Sequence, residues 1–166
     1  MSGLLAIPVM AFLMILQTTV IKEVNLLHGS ADILLVWLSA WVLRDESQQK
    51  WVWILLGIAL GILVSAIPWF AIISGYAVIF ILTKLIQKRL WQSPMISTFL
   101  VVMISSIILY LTSYAGLQMK TGAYPFQDTL TQVIIPSIFL NLFFSIPIYL
   151  FARDLHQWVT PLKDVQ

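Results

Sequence analysis

Hydrophobic positions in this chain fill whole segments instead of alternating with polar ones. No charged residue occurs from 51 to 83, from 90 to 119, or from 129 to 152. At a rise of about 1.5 Å per residue, a helix over the shortest of these runs already exceeds the roughly 30 Å hydrocarbon layer of a bilayer. A helix over the longest would reach roughly 50 Å, so that run must cross twice. Lipid offers no hydrogen-bond partners, so backbone at that depth must be helical or close into a barrel, and unalternated apolar runs argue against strands. The pattern predicts an all-α integral membrane protein, one transmembrane domain over residues 1–166 with no soluble domain.

Six spans are predicted: 4–21, 29–43, 51–67, 70–86, 95–117 and 130–151. The second is short, so it is either sunk among its neighbours or incompletely spanning. The turn between the third and fourth falls at Pro68, because proline removes a helix donor and disfavours helical backbone in the residue before it. The first segment lacks the basic n-region and cleavage site of a secretory signal, and reads as a retained helix.

Charge placement orients the spans. Arg44, Lys50, Lys84, Lys88, Arg89, Arg153 and Lys163 fall on the side that holds both termini, and only Lys22 and Lys120 on the other. Basic residues near span ends are retained inside, which predicts both termini in the cytoplasm of a multi-pass membrane protein. Trp41, Trp51, Trp53, Trp91 and Trp158 near the inner ends and Trp69 near the outer turn agree, since amphipathic rings favour the headgroup region.

Composition narrows the function. Apolar residues make up 60% of the chain and charged residues 10%, too few for a sizeable water-exposed module. Cysteine is absent, which removes disulfides, thiolate nucleophiles and cysteine-based metal centres. A net charge of +2 does not suggest nucleic acid. No phosphate-binding glycine loop, metalloprotease helix or nucleophile with a plausible base is found, so no catalytic residue, cofactor or metal is expected.

Four clusters remain as candidates. Gly57, Gly61 and Ser65 form a small-residue stripe on one face of the third span, either a seam for a partner's helix or packing inside this chain, the commoner use of such glycines. Ser137, Asn141 and Ser145 lie four apart on the sixth span between Pro136 and Pro147. A mid-membrane asparagine needs partners for its amide, so this face should turn to protein, a cavity or a partner and away from lipid. Ser30 or Asp32 is placed to cap the second helix; His28 and Asp32 would form an imidazole–carboxylate pair only if that stretch were helical, and His156 is predicted on the opposite face of the membrane. Lys84, Lys88 and Arg89 form an inner cluster able to hold anionic lipid headgroups or an acidic partner segment.

Several of these features, in this order, resemble the bacterial rod shape-determining protein MreD family over most of the chain, to about Trp158. The resemblance rests on the polar cluster Gln17, Thr18 and Thr19 ending the first span, on residues 28–36 opening the second, and on the ladder Gly57 and Gly61. It continues through residues 135–141 to Pro147, Ile148 and Tyr149. The chain departs from the family's pattern at Ala31, where proline is frequent, and at Ser65, where an acidic residue is frequent. The resemblance implies a non-enzymatic scaffold of the cell-elongation complex, in the inner membrane beside the bitopic protein MreC, MreB filaments, the glycosyltransferase RodA and a class-B penicillin-binding protein. Gly57, Gly61 and the Asn141 face would then be contacts for the MreC transmembrane segment.

The rival reading is a small-molecule binder similar to the substrate-capturing subunit of energy-coupling-factor vitamin transporters. Asn141, Asp32, Tyr124 and an outer loop from Gln118 to Thr129, carrying Phe126, would form its pocket. A third, a membrane-embedded transferase or lipid-processing enzyme, lacks an acid–base pair.

Overall fold

The computed structural model describes residues 2–19, 23–44, 50–65, 67–87, 94–121 and 125–159, and these are about 91% helical. The helices are α1 (Ser2–Thr19), α2 (Ile33–Arg44), α3 (Lys50–Val64), α4 (Trp69–Gln87), α5 (Pro94–Thr121), α6 (Phe126–Thr129) and α7 (Ile135–Val159). A π-helical turn, Leu130–Ile134, joins α6 to α7, and a two-stranded antiparallel pair, β1 (Asn25–Leu26) and β2 (Gly29–Ser30), precedes α2. Three stretches are long and apolar enough to cross a membrane: Trp69–Ile86, Pro94–Met119 and Phe126–Trp158. Three shorter apolar stretches, Ala6–Thr19, Ile33–Arg44 and Lys50–Val64, accompany them.

The short second helix is the centre of the bundle. It packs against α1, α3, α4, α5 and α7, and every residue from Ile33 to Val42 is buried. An apolar helix surrounded by other helices need not match the thickness of lipid, because its backbone bonds are internal and its side chains meet protein. Packing elsewhere follows the small residues. The ideal Cβ of an alanine at Gly75 would come within 2.9 Å of Leu109 Cβ, so α4 and α5 touch closely there. One helical turn away in α5, the Ser74 and Thr112 hydroxyls share a hydrogen bond of 3.0 Å. Close approach and interhelical hydroxyl bonds are what hold helices together where lipid is as apolar as they are.

Several boundaries differ from the sequence reading. The second helix begins at Ile33, not Gly29, because residues 25–30 pair as a hairpin. His28 therefore lies in a turn and forms no helical pair with Asp32. The long outer loop expected from Gln118 to Thr129 is largely helix. α5 continues to Thr121 and α6 starts at Phe126, with Gln118 Nε2 bonded to the Tyr114 hydroxyl one turn back at 2.5 Å and Phe126 against the Tyr114 ring at 5.3 Å. α7 runs past Phe151 to Val159, carrying Pro147 inside it. At Pro68 the expected turn is present, and the Pro68 carbonyl accepts the Ala71 N–H at 2.9 Å to start α4.

Two tryptophans assigned to the membrane surface are core residues instead. Trp37, Trp41 and Trp53 are at most 1% exposed; Trp41 stacks on Trp37 at 5.6 Å and meets Trp53 at 4.7 Å. Three large rings fill the wide space between α2 and α3, where offset and tilted pairs add to dispersion. Trp51, Trp69 and Trp158 are exposed, as an interfacial ring would be. Trp91 lies outside the described residues.

Candidate functional site: a polar cavity at the start of the central helix

The chain between β1 and α2 is irregular, and its backbone groups find partners in side chains from distant elements. Pro136 carries no N–H, so the Gln132 carbonyl one turn earlier lacks its usual helical donor. The π-turn accommodates the proline, with the Ile135 N–H bonded to the Leu130 carbonyl. The Gln132 carbonyl accepts the His28 N–H at 3.1 Å instead, and so docks the hairpin on α7. The hairpin turn places Leu27 at φ 57°, a left-handed conformation that costs a leucine about 1–2 kcal/mol and is held by these contacts.

Beyond the hairpin, Ser137 Oγ accepts the Ser30 N–H at 3.1 Å and the Tyr110 hydroxyl donates to the Ser30 carbonyl at 3.0 Å. Asn141 Oδ1 accepts the Asp32 N–H at 2.7 Å, and its Nδ2 donates to Ser106 Oγ at 2.9 Å. Ser137, Asn141 and Ser145 are all buried. The polar face of α7 therefore turns inward, with Ser145 bonding the Leu142 carbonyl of its own helix at 2.6 Å.

Asp32 caps α2: its Oδ1 accepts the Leu35 N–H at 3.0 Å and its carbonyl accepts the Val36 N–H at 3.1 Å. Ser30 is not the capping side chain. Gln17 of α1 completes the cap, with Oε1 accepting the Ile33 N–H at 2.8 Å and the Leu34 N–H at 3.4 Å. Its Nε2 donates to the Ala31 carbonyl at 3.2 Å. The first donors of a helix have no partner within it, and here two side chains from different elements supply one.

Beside this junction is a cavity of about 390 Å³. Its polar lining includes Gln17, Asp32, Ser65, Tyr76 and Tyr110. The Tyr76 phenol lies beside the Asp32 carboxyl, close enough for the two to interact electrostatically. Leu34, Val64, Ile67 and Ile72 supply apolar walls. Residues from α1, α2, α4, α5 and the α3–α4 turn thus converge on one carboxylate. Among the described residues no group of three or more His, Asp or Glu is placed to hold a metal ion.

The other candidates are dispersed. Gly57 and Gly61 are buried against this chain's own helices: an ideal Cβ at Gly57 would overlap Leu38 Cδ1 and lie 3.0 Å from Tyr76 Cε1, and one at Gly61 would lie 3.1 Å from Ile72 Cγ2. A partner's helix has no room on that face. Gly57→Ala is accordingly expected to destabilise the folded chain by about 1–2 kcal/mol through overpacking, read as a lower midpoint of thermal unfolding in detergent. An unchanged midpoint would mean that Leu38 gives way freely. Ser65 reaches the cavity wall and not the glycine contact, its Oγ accepting the Ile67 N–H at 3.1 Å.

Lys84 is exposed at the far end of α4, its Nζ 4.3 Å from the centre of the Phe80 ring; Lys88, Arg89 and Tyr124 lie outside the described residues. His156 packs on Trp41 at 5.6 Å. That is the C-terminal end of α2, and His28 is at the other.

Sequence reasoning missed Tyr76, Tyr110 and Ser106, and gave Gln17 no role of its own. A tyrosine within an apolar run was the available signal, since its hydroxyl needs a partner when buried. Comparison of the chain with protein-family models, with curated proteins and with solved structures yields no match. What the fold defines is a class, a helical bundle with three stretches long and apolar enough to cross a membrane.

Proposed function

We propose that this chain is a non-enzymatic scaffold of a bacterial cell-elongation complex, similar to the MreD family. It crosses the inner membrane six times with both termini in the cytoplasm, and holds the transmembrane segment of a bitopic partner such as MreC beside the peptidoglycan-synthesis proteins. One observation carries the reading. The segments on which the resemblance rests lie far apart in sequence and meet at one place: Gln17 and Asp32 cap α2, Ser30 bonds Ser137, Asp32 bonds Asn141, and Gly57 and Gly61 pack under α2 and α4. Residues that build one joint together are a coherent set rather than scattered coincidences. With the polar and small residues turned inward, a partner meets the outer flanks of the bundle, where packing and not polar readout holds helices together.

The cavity favours a second reading, a small-molecule-binding membrane subunit, because concave sites of about 300–1,000 Å³ with a few convergent polar groups commonly hold ligands. One experiment separates the two. Crosslinking in native membranes, followed by identification of the captured neighbours, should recover cell-wall synthesis proteins if the chain is a scaffold. Recovery of an ATPase pair with a transmembrane coupling subunit, and no cell-wall protein, would replace that reading with transport.

A further inference from the structure

The cavity at the start of α2 has a chemical bias set by the charge of its lining. Tyr110 gives its proton to the Ser30 carbonyl, and the Tyr76 phenol lies beside the Asp32 carboxyl. With its proton committed, the Tyr110 oxygen adds acceptor capacity, and a carboxylate is an acceptor alone. Gln17 has its carbonyl and one N–H bonded to the backbone around α2. No Lys, Arg or His is among the residues that line the space. An anion would meet a carboxylate with no cationic side chain in the lining to offset it. A group with full positive charge, several N–H donors and no acceptor fits, and a primary ammonium is that group.

Burying a carboxylate without a partner is costly, and an ionisable residue within a membrane bundle marks a site whose partner should be named. Here one carboxylate oxygen caps Leu35, which leaves capacity for a charge-assisted bond. Beside this polar floor, Val64, Ile67 and Ile72 form a wall on which an alkyl stem can lie, as lysine stems lie on apolar surfaces.

We propose that this cavity binds a primary alkylammonium group, held by Asp32 with Tyr76 and Tyr110. A free alkylamine and the lysine side chain of a neighbouring chain share that chemistry. The inference stands on the cavity alone, so it can fail without touching the scaffold reading, and the reverse.

The test uses the full-length chain purified in detergent, with n-butylammonium chloride as the probe and n-butanol and sodium chloride as controls. A ligand bound only to the folded state raises its apparent stability with concentration. The ammonium should raise the apparent Tm progressively and the controls should not. Asp32→Asn keeps an oxygen to cap Leu35 but removes the charge, and should weaken binding by about tenfold or more. Ser65→Lys places a tethered ammonium at the cavity wall and should abolish the response to the probe, which keeps the proposal open to refutation if the Asp32 variant does not fold. Equal shifts with butanol, or a full ammonium response in either variant, would overturn it. Capture of neighbours in native membranes then identifies the source. A neighbour lost on Asp32→Asn carries the ammonium on a lysine, whereas unchanged neighbours with a lost probe response point to a free amine.

Discussion

Gly29→Ala is expected to lower the stability of the folded chain toward the upper end of the about 1–3 kcal/mol typical of overpacking. The Cβ it adds would lie 2.7 Å from the Ser137 backbone nitrogen, 2.8 Å from Pro136 Cβ and 2.9 Å from Ser137 Oγ. Two of these atoms belong to the backbone and to a proline ring, which no rotamer change can move aside. The hairpin must lift from α7, and lifting it breaks the bonds from His28 to the Gln132 carbonyl and from Ser30 to Ser137. Thermal unfolding in detergent measures the loss. Gly57→Ala, which meets the ends of the Leu38 and Tyr76 side chains, should cost less. If Gly29→Ala melts with the native protein, the hairpin does not rest on α7 as described.

Asn141→Leu should be comparably damaging for a different reason. The substitution keeps the heavy-atom count and branching of the side chain but removes the acceptor of the Asp32 N–H and the donor to Ser106. A buried donor left without a partner costs about 1–3 kcal/mol. Ser106 can turn its hydroxyl to a carbonyl of its own helix, as serines in apolar helices do, so Ser106→Ala should show much less than the Asn141 effect. Equal losses in the two variants would mean that the amide serves α5 and not the start of α2. Double substitution of Asn141 and Ser106 should be less than additive, since the two groups share one bond.

Much of this architecture was legible in the residues. Charge-free runs place the apolar helices because bilayer thickness and backbone hydrogen bonding leave few alternatives. Pro68 marks a turn through its own covalent structure. Asn141 and its serine neighbours could be assigned to an inward face from the cost of an unpaired amide in lipid, and that is where they lie.

What was not legible is long-range. Two-residue strands carry no periodic pattern, so the hairpin before α2 left only Gly29 as a hint. Tyr76 and Tyr110 sit in separate spans, and nothing local tells that both point at Asp32. The tryptophan preference for headgroups describes rings on lipid-facing surfaces; Trp41 and Trp53 lie near helix ends yet face protein. The glycine ladder admitted two uses, and only the position of Leu38 over Gly57 shows that its own neighbours occupy it.

The order of synthesis gives the placement of α2 one further consequence. Residues 25–32 emerge from the ribosome more than a hundred positions before Ser137 and Asn141, the side chains that take up their backbone N–H groups. Until α7 has docked, those amides lack their side-chain acceptors, and α2 has no wall to lean on along one side. The joint at the start of α2 is therefore complete only once the C-terminal third has been made, and a chain arrested before residue 135 leaves its most buried helix unsheltered along one side.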